Sequence, residues 1–243
     1  MAIPPRDKYH GKAQSVSEAV LTRFSARAFL PTPVPEDLVR DLVTRAARSA
    51  SGGNVQPWKV YVCVGDKRKE LVDAVADNMQ KGNMETPEYD VYPDSSRQVK
   101  LEAQYHGRRA ECGKDMFAAM GLERGDRAGR MKAMARNWTF FDAPVGIMIS
   151  ANRVMNKPQW GDLGCFITTL GLLAREQGLH TCFQEAWAMW PQTTAKVLGI
   201  PDDEMIWCGV ALGYADFEKP VNSLVTSRAP VEEVVSFLGF SKL

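Results

Sequence analysis

The chain has no CxxC pair, only three histidines, and no apolar run long enough to cross a bilayer. Each absence removes a class of function. The cysteines, Cys63, Cys112, Cys165, Cys182 and Cys208, are odd in number and widely spaced. That excludes a zinc ribbon and speaks against a disulfide framework. His10, His106 and His180 lie far apart without metal-ligand spacing, so each reads as a packed or surface histidine. GxSxG, a P-loop and a GxGxxG after a first strand are all missing. A formal net charge of +1 offers no bulk attraction to nucleic acid or a membrane surface. The first residues, MAIPPRDKYHGK, lack an apolar core and a cleavage signature, so the expectation is a cytoplasmic protein without a secretory signal. What remains is a globular composition, 243 residues with 45% hydrophobic and 24% charged, enough to bury a sizeable core. Such a chain without acid, base or nucleophile motifs points to chemistry borne by a cofactor.

The pattern along the chain predicts a single domain over 1–243. Residues 1–14 read as an irregular arm. A short helix is expected over Ser15–Phe24, with Val16, Ala19, Val20 and Phe24 on its apolar face. A second starts near Pro35, with Leu38, Leu42, Val43, Ala46 and Ala47 as its stripe. WKVYVCV from Trp58, APVGIMIS from Ala143 and MIWCGVALGY from Met205 read as strands, and HTCFQEAW from His180 as a short strand running into a loop. Residues 66–82 read as helix. The segment 94–137 is a charged, Met- and Ala-rich helical excursion broken near Gly121–Gly125, either a lid or partner contact or a solvated helical pair. Gly161–Gly178 holds the 3.6-residue period through Leu163, Phe166, Ile167, Leu170, Leu173 and Ala174, which suits a core or a dimer seam. PVEEVVSF near the end reads as a helical turn plus tail. Strands alternating with helices suggest one α/β-type domain.

Two stretches could carry binding chemistry. In RFSARAF, Arg23, Ser25 and Arg27 sit two apart in an extended segment, where alternate residues point the same way. Guanidinium forks around a hydroxyl suit a phosphate, although solvent-facing arginines are common. In SASGGNVQPW, residues 49–58, Asn54 and Gln56 offer donors and acceptors together, and Gly52 and Gly53 allow close backbone approach. A flat polar heterocycle would fit there; a turn in which Asn54 bonds its own backbone is the alternative. Arg228 in TSRAP is a further phosphate donor by type.

Together these stretches resemble the nitroreductase family of FMN-dependent oxidoreductases. The resemblance rests on RFSARAF at 23–29, SASGGNVQPW at 49–58, GLHTCFQEAW at 178–187 and LGYADFEKPVNSLVTSRAP at 212–230, in order and spacing. It implies an α+β sandwich, a mixed central sheet flanked by helices, and a homodimer with FMN at the interface. It further implies that Arg23 and Ser25, within the segment Arg23, Phe24, Ser25, Ala26 and Arg27, hold the phosphate, with Arg27 near the pyrimidine edge. Ser51, Gly52, Gly53, Asn54 and Gln56 would line the flavin from the partner subunit. Glu185 and Ala186, after Gln184, would present backbone N–H groups toward flavin N5, and Arg228 would close on the phosphate. Asn83 is a weaker candidate for the flavin edge.

The sequence departs from the family pattern at Ala50, where proline is usual, at Thr226, where some relatives have lysine, and at Ala186, where glycine is common. The activity implied is hydride transfer from NADH or NADPH through the flavin to a nitroaromatic or quinone. Trp138, Phe140, Phe141, Trp160 and Trp187 are candidates for the pocket wall, with core packing the alternative for each. Glu88–Tyr89 is not followed by the lid pattern of the deiodinases. Alkene reduction, dehalogenation, or flavin binding without turnover are the other readings.

Overall fold

A computed structural model describes residues 4–5, 7–93 and 100–240. The first half supplies α1 (Asp7–His10), α2 (Val16–Thr22), α3 (Glu36–Ala46), β1 (Lys59–Val64), α4 (Gly65–Gln80), α5 (Ala103–Ala119) and α6 (Arg127–Ala135). The second supplies β2 (Val145–Asn152), α7 (Lys157–Glu176), β3 (His180–Gln184), α8 (Pro191–Leu198), β4 (Glu204–Gly213) and α9 (Val231–Val234). Short 3-10 turns at Gly52–Asn54, Arg136–Asp142, Glu185–Met189 and Pro220–Ser223 complete the order.

The strands form one sheet in the order β1-β2-β4-β3. The α+β class holds, but the ladder is antiparallel throughout, and among the described residues parallel pairing is confined to the bridge Ser25–Thr181. The register explains the departure from the expected mixed sheet. Val64 faces Val145, so the excursion after β1 returns at the same end of the sheet and β2 runs back beside β1. The α7 excursion does cross: it leaves β2 at Asn152, beside Glu204, and enters β3 at His180, beside Gly213, so β2 and β3 run the same way, but antiparallel β4 lies between them and no parallel ladder forms.

Both faces of the sheet are covered, which is why β2 and β4 read as nearly continuous apolar runs. On one face, Ile147, Ile149, Val210 and Leu212 pack against Val39 and Leu42 of α3 and Leu163, Phe166 and Leu170 of α7. On the other, Met148, Cys63 and Ala211 meet Leu71 and Val75 of α4 with Phe140 and Trp187. Glycines admit the large rings. A Cβ on Gly209 would stand 2.1 Å from Trp187 Cδ1, and one on Gly146 would stand 2.5 Å from Phe140 Cζ.

Several sequence expectations shift. The arm is anchored: α1 buries Tyr9, and the buried Arg175 guanidinium donates to Lys8 O and Gly11 O. In α2 the chain buries Ala19 and Thr22, leaving Val16 75% and Val20 56% exposed, so the apolar face predicted there is not covered within one chain. The strong helix begins at Lys157, four residues earlier than the period suggests, because Asn156 and Gln159 form a capping box. Helix α8 has no expectation in the sequence reading. Of the excursion, 94–99 lies outside the described residues, and α5 and α6 bury none of theirs.

Candidate functional site at the sheet edge

Strand β3 is an edge of the sheet, and the segment after α2 runs along it. Ser25 bridges Thr181, Ala26 N–H donates to Thr181 O, and Leu30 N–H donates to Tyr214 O. This extended path places Arg23, Ser25 and Arg27 beside β3. The Arg23 guanidinium stands 5.8 Å from the Phe183 ring centroid, and its Cδ is 3.4 Å from where a Cβ on Gly171 would sit. A Cβ on Gly171 of α7 would press on the Phe183 ring at 3.0 Å, so the missing side chain lets α7 pack closely on β3 next to Arg23. Burial, and then the positive charge of Arg228, push the Arg23 pKa down. The buried Cys182 thiol donates to Phe183 O at 3.8 Å, and burial raises its pKa. Arg27 Nη1 returns to Ser25 O at 3.2 Å.

No carboxylate among the described residues pairs with Arg23, Arg27 or Arg228. Cations that repel one another without a counter-charge are unfavourable unless an anion joins them. Two buried polar atoms nearby are also without partners, the Thr181 hydroxyl and the Gln184 Oε1 acceptor. Thr181 Oγ1 lies 3.4 Å from the same Gly171 Cβ position that Arg23 approaches. Gln184 is fixed at its other end, with Nε2 donating to Asn137 O at 2.6 Å. Exposed Arg228 folds onto its own loop, donating to Thr226 Oγ1 at 2.7 Å and Ser227 O at 2.8 Å. It lines a cavity of about 500 Å³ shared with Arg108, Cys112 and Asp115 of α5.

The 3-10 turn after β3 leaves the N–H groups of Glu185 and Ala186 ahead of its first internal hydrogen bond. The Ala186 carbonyl is taken by Trp138 Nε1 at 3.0 Å. Glu185 opens to solvent on one side, yet burial by the protein around it holds its carboxyl above the usual carboxylate range.

The loop at 49–58 is elsewhere. Gly52 N–H donates to Asp162 at 3.2 Å, Ser49 Oγ bonds Thr169 Oγ1, and Gln56 N–H donates to Ser51 Oγ. Gly53, Asn54 and Gln56 all take positive φ, at 58°, 56° and 50°. Gln56 Nε2 donates to Asn54 O, so the carboxamide that bonds the loop's own backbone is that of Gln56, where the sequence suggests Asn54. Asp162 and Gly171 are separated by roughly 14 Å along α7. The loop and the arginine group therefore occupy different stretches of the helix, and one chain does not bring them together. Asn83, past the end of α4, donates to Asn78 Oδ1.

Other side chains turn away from the site. Phe24 packs with His180 and Tyr9, and Ala26 is fully buried, so only their backbones can face a ligand. Phe140, Phe141 and Trp187 are core residues, leaving Trp138 and Trp160 partly open. Residues that the sequence reading passes over also belong here: Thr181, Asn137, Arg136 and Asn222. A threonine in a strand or an asparagine in a turn carries no local signal of such a role.

The Nitroreductase family model matches residues 20–214. The chain is 32% identical over 225 residues to a chloronitrobenzene nitroreductase of Comamonas testosteroni, covering 92% of this chain and 96% of that one. It superposes with a TM-score of 0.88 on an FMN and NADPH-dependent nitroreductase, NfnB, of Sphigopyxis sp. strain HMH, at 38% identity over 93% of this chain and all of that one. The FMN-dependent nitroreductase NfnB of Mycobacterium smegmatis, solved with NADPH, is 27% identical, with a TM-score of 0.86, covering 93% and 98% of the two chains.

Proposed function

The chain belongs to the nitroreductase family, and on that premise we propose an FMN-dependent oxidoreductase that carries electrons from NADPH or NADH to a nitroaromatic or quinone acceptor. The observation that carries this reading is the pair Arg23 and Arg228. Arg23 lies within reach of the Arg228 charge and beside the orphaned Thr181 hydroxyl, and neither arginine meets a described carboxylate. A dianionic phosphate supplies the missing counter-charge and the missing hydrogen-bond partner at once. FMN, when bound, supplies the hydride chemistry that the chain lacks in its own side chains.

The protein's part is to bind and orient. Arg23, Ser25 and Arg228 hold the phosphate end, and Arg27 places positive charge along the ring. Gln184 Oε1 offers an acceptor, and the free N–H groups of Glu185 and Ala186 offer donors. The loop Ser51–Gln56 belongs to the site of a second copy. Gly161, Cys165, Thr168 and Leu172 recur at i, i+4, i+7 and i+11 on α7 as a face that one chain leaves open, and they support a homodimer seam. NADPH is the favoured donor, since the nitroreductases of known structure named above are described with it. Nitroaromatics are the favoured acceptors, after the chloronitrobenzene reductase.

The test is anaerobic absorbance of the purified protein. A flavin spectrum bleached by NADPH and restored by a chloronitrobenzene is expected. A bound flavin that neither NADPH nor NADH bleaches would make the protein a flavin binder and overturn the reductase.

A further inference from the structure

The backbone of Arg27 is held by side chains from two distant parts of the chain. Its N–H donates to Asn222 Oδ1 at 2.8 Å, and its carbonyl accepts from Arg136 Nη1 at 3.0 Å. Its neighbours are tied through main-chain bonds: Ala26 N–H to Thr181 O, Leu30 N–H to Tyr214 O, and Asp216 N–H to Ala28 O. Asn222 is 3% exposed, and its Nδ2 also donates to Ala28 O and Asp216 O, each at 2.8 Å. One buried amide thus binds residues 27 and 28 to the loop after β4.

Arg136 stands where α6 passes into the 3-10 turn. Its Nη2 pairs with the Asp142 carboxylate at 3.0 Å. Phe140, Phe141 and Asp142 all have positive φ, at 55°, 52° and 69°. Non-glycine residues keep that conformation only where their surroundings over-determine it. The wound turn sets Asp142, Asp142 sets Arg136, and Arg136 meets Arg27.

We infer that Asn222 and Arg136 are positioning residues for the Arg27 guanidinium, and that Arg136 ties the α5–α6 excursion to the cofactor edge. The inference rests on the placement of Arg27 at the flavin given above. Among the described residues no carboxylate fixes the Arg27 charged end; its guanidinium is held by Ser25 O, two residues back on the same segment, so where it stands follows from where that segment is pinned. Deleting the Asn222 amide leaves a backbone N–H without its acceptor and frees the segment to drift.

A double-mutant cycle on the FMN-loaded protein tests this, reading FMN Kd and the flavin midpoint potential for wild type, N222A, R27A and the double variant. N222A is expected to weaken FMN about tenfold in the wild-type background and by less than about twofold in R27A, because the two act as one unit. The midpoint potential is expected to shift with N222A only while Arg27 is present. Equal effects in both backgrounds would overturn the inference and make Asn222 a bond of the fold alone. If N222A does not fold, R136M at the partly exposed partner gives the same cycle, with R136K recovering part of the loss. R27A that leaves both readouts unchanged would instead sink the placement of Arg27 at the flavin, and this inference with it. That result is distinct from additivity.

Discussion

At the scale of single residues, the site is defined by what lacks a partner. Arg23→Met and Arg228→Met are each expected to weaken FMN binding about tenfold or more, since each removes a charged donor to phosphate. Equilibrium titration of the apoprotein reads this. Thr181→Val is the sharper case. Its hydroxyl satisfies nothing within the chain, so the isosteric change should leave apoprotein stability nearly untouched while weakening FMN a few-fold. Loss of stability without loss of affinity would remove Thr181 from the site.

His180 gives a pH prediction. Its Nδ1 accepts from Ala215 N–H, so Nε2 carries the proton and donates to Tyr9 O at 2.8 Å. Burial, then the Arg175 charge, lower its pKa to about 3 from an ordinary 6.5. The unfolded chain takes up this proton near pH 6.5 and the folded one does not until about 3. The unfolded state thus binds more protons across that window. Stability is full above it and falls as pH drops through it, by on the order of a few kcal/mol. Urea midpoints measured between pH 7.5 and 4 should fall for wild type, and His180→Gln should be weaker at pH 7.5 but flatter.

At the scale of elements, capping and ring packing set boundaries that periodicity misses. The apolar period places the α7 start at Gly161, but Asn156 and Gln159 extend it by a turn. Asn156→Ala should cost about 1 kcal/mol in urea unfolding with an unchanged m-value. Helix α8 begins with Pro191 and ends at Gly199 in the left-handed region, both legible signals, but Glu85 caps it from more than a hundred residues away through Gln192 N–H and Thr193 N–H. Gly209→Ala should be far worse than the cap change, because the added methyl meets the Trp187 ring inside a filled core. A folded, near-wild-type G209A in the same urea experiment would contradict the packing described.

At the scale of the whole molecule, the open α7 face, the exposed Val16 and Val20, and the separation of the Ser51–Gln56 loop from the arginines all support the proposed second chain. Thr168→Arg, on the open face of α7, should give a folded monomer that no longer retains FMN. Sedimentation velocity with absorbance at the flavin band reads both at once. A monomer still carrying stoichiometric FMN would place the whole site in one chain.

Most helices, the four strands, and the four ordered blocks that mark the family are legible in the residues alone. Those are local: helix period, β-branched runs, turn residues and motif spacing act over a few neighbours. Only the tertiary structure decided that the sheet is antiparallel, because strand direction depends on where each excursion returns. The same closure makes Phe140 and Trp187 core, because Gly146 and Gly209 open the space beneath their rings. It decided that Arg27 is gripped by Asn222 and Arg136, residues 195 and 109 positions away, through hydrogen bonds that form only when the chain has closed on itself.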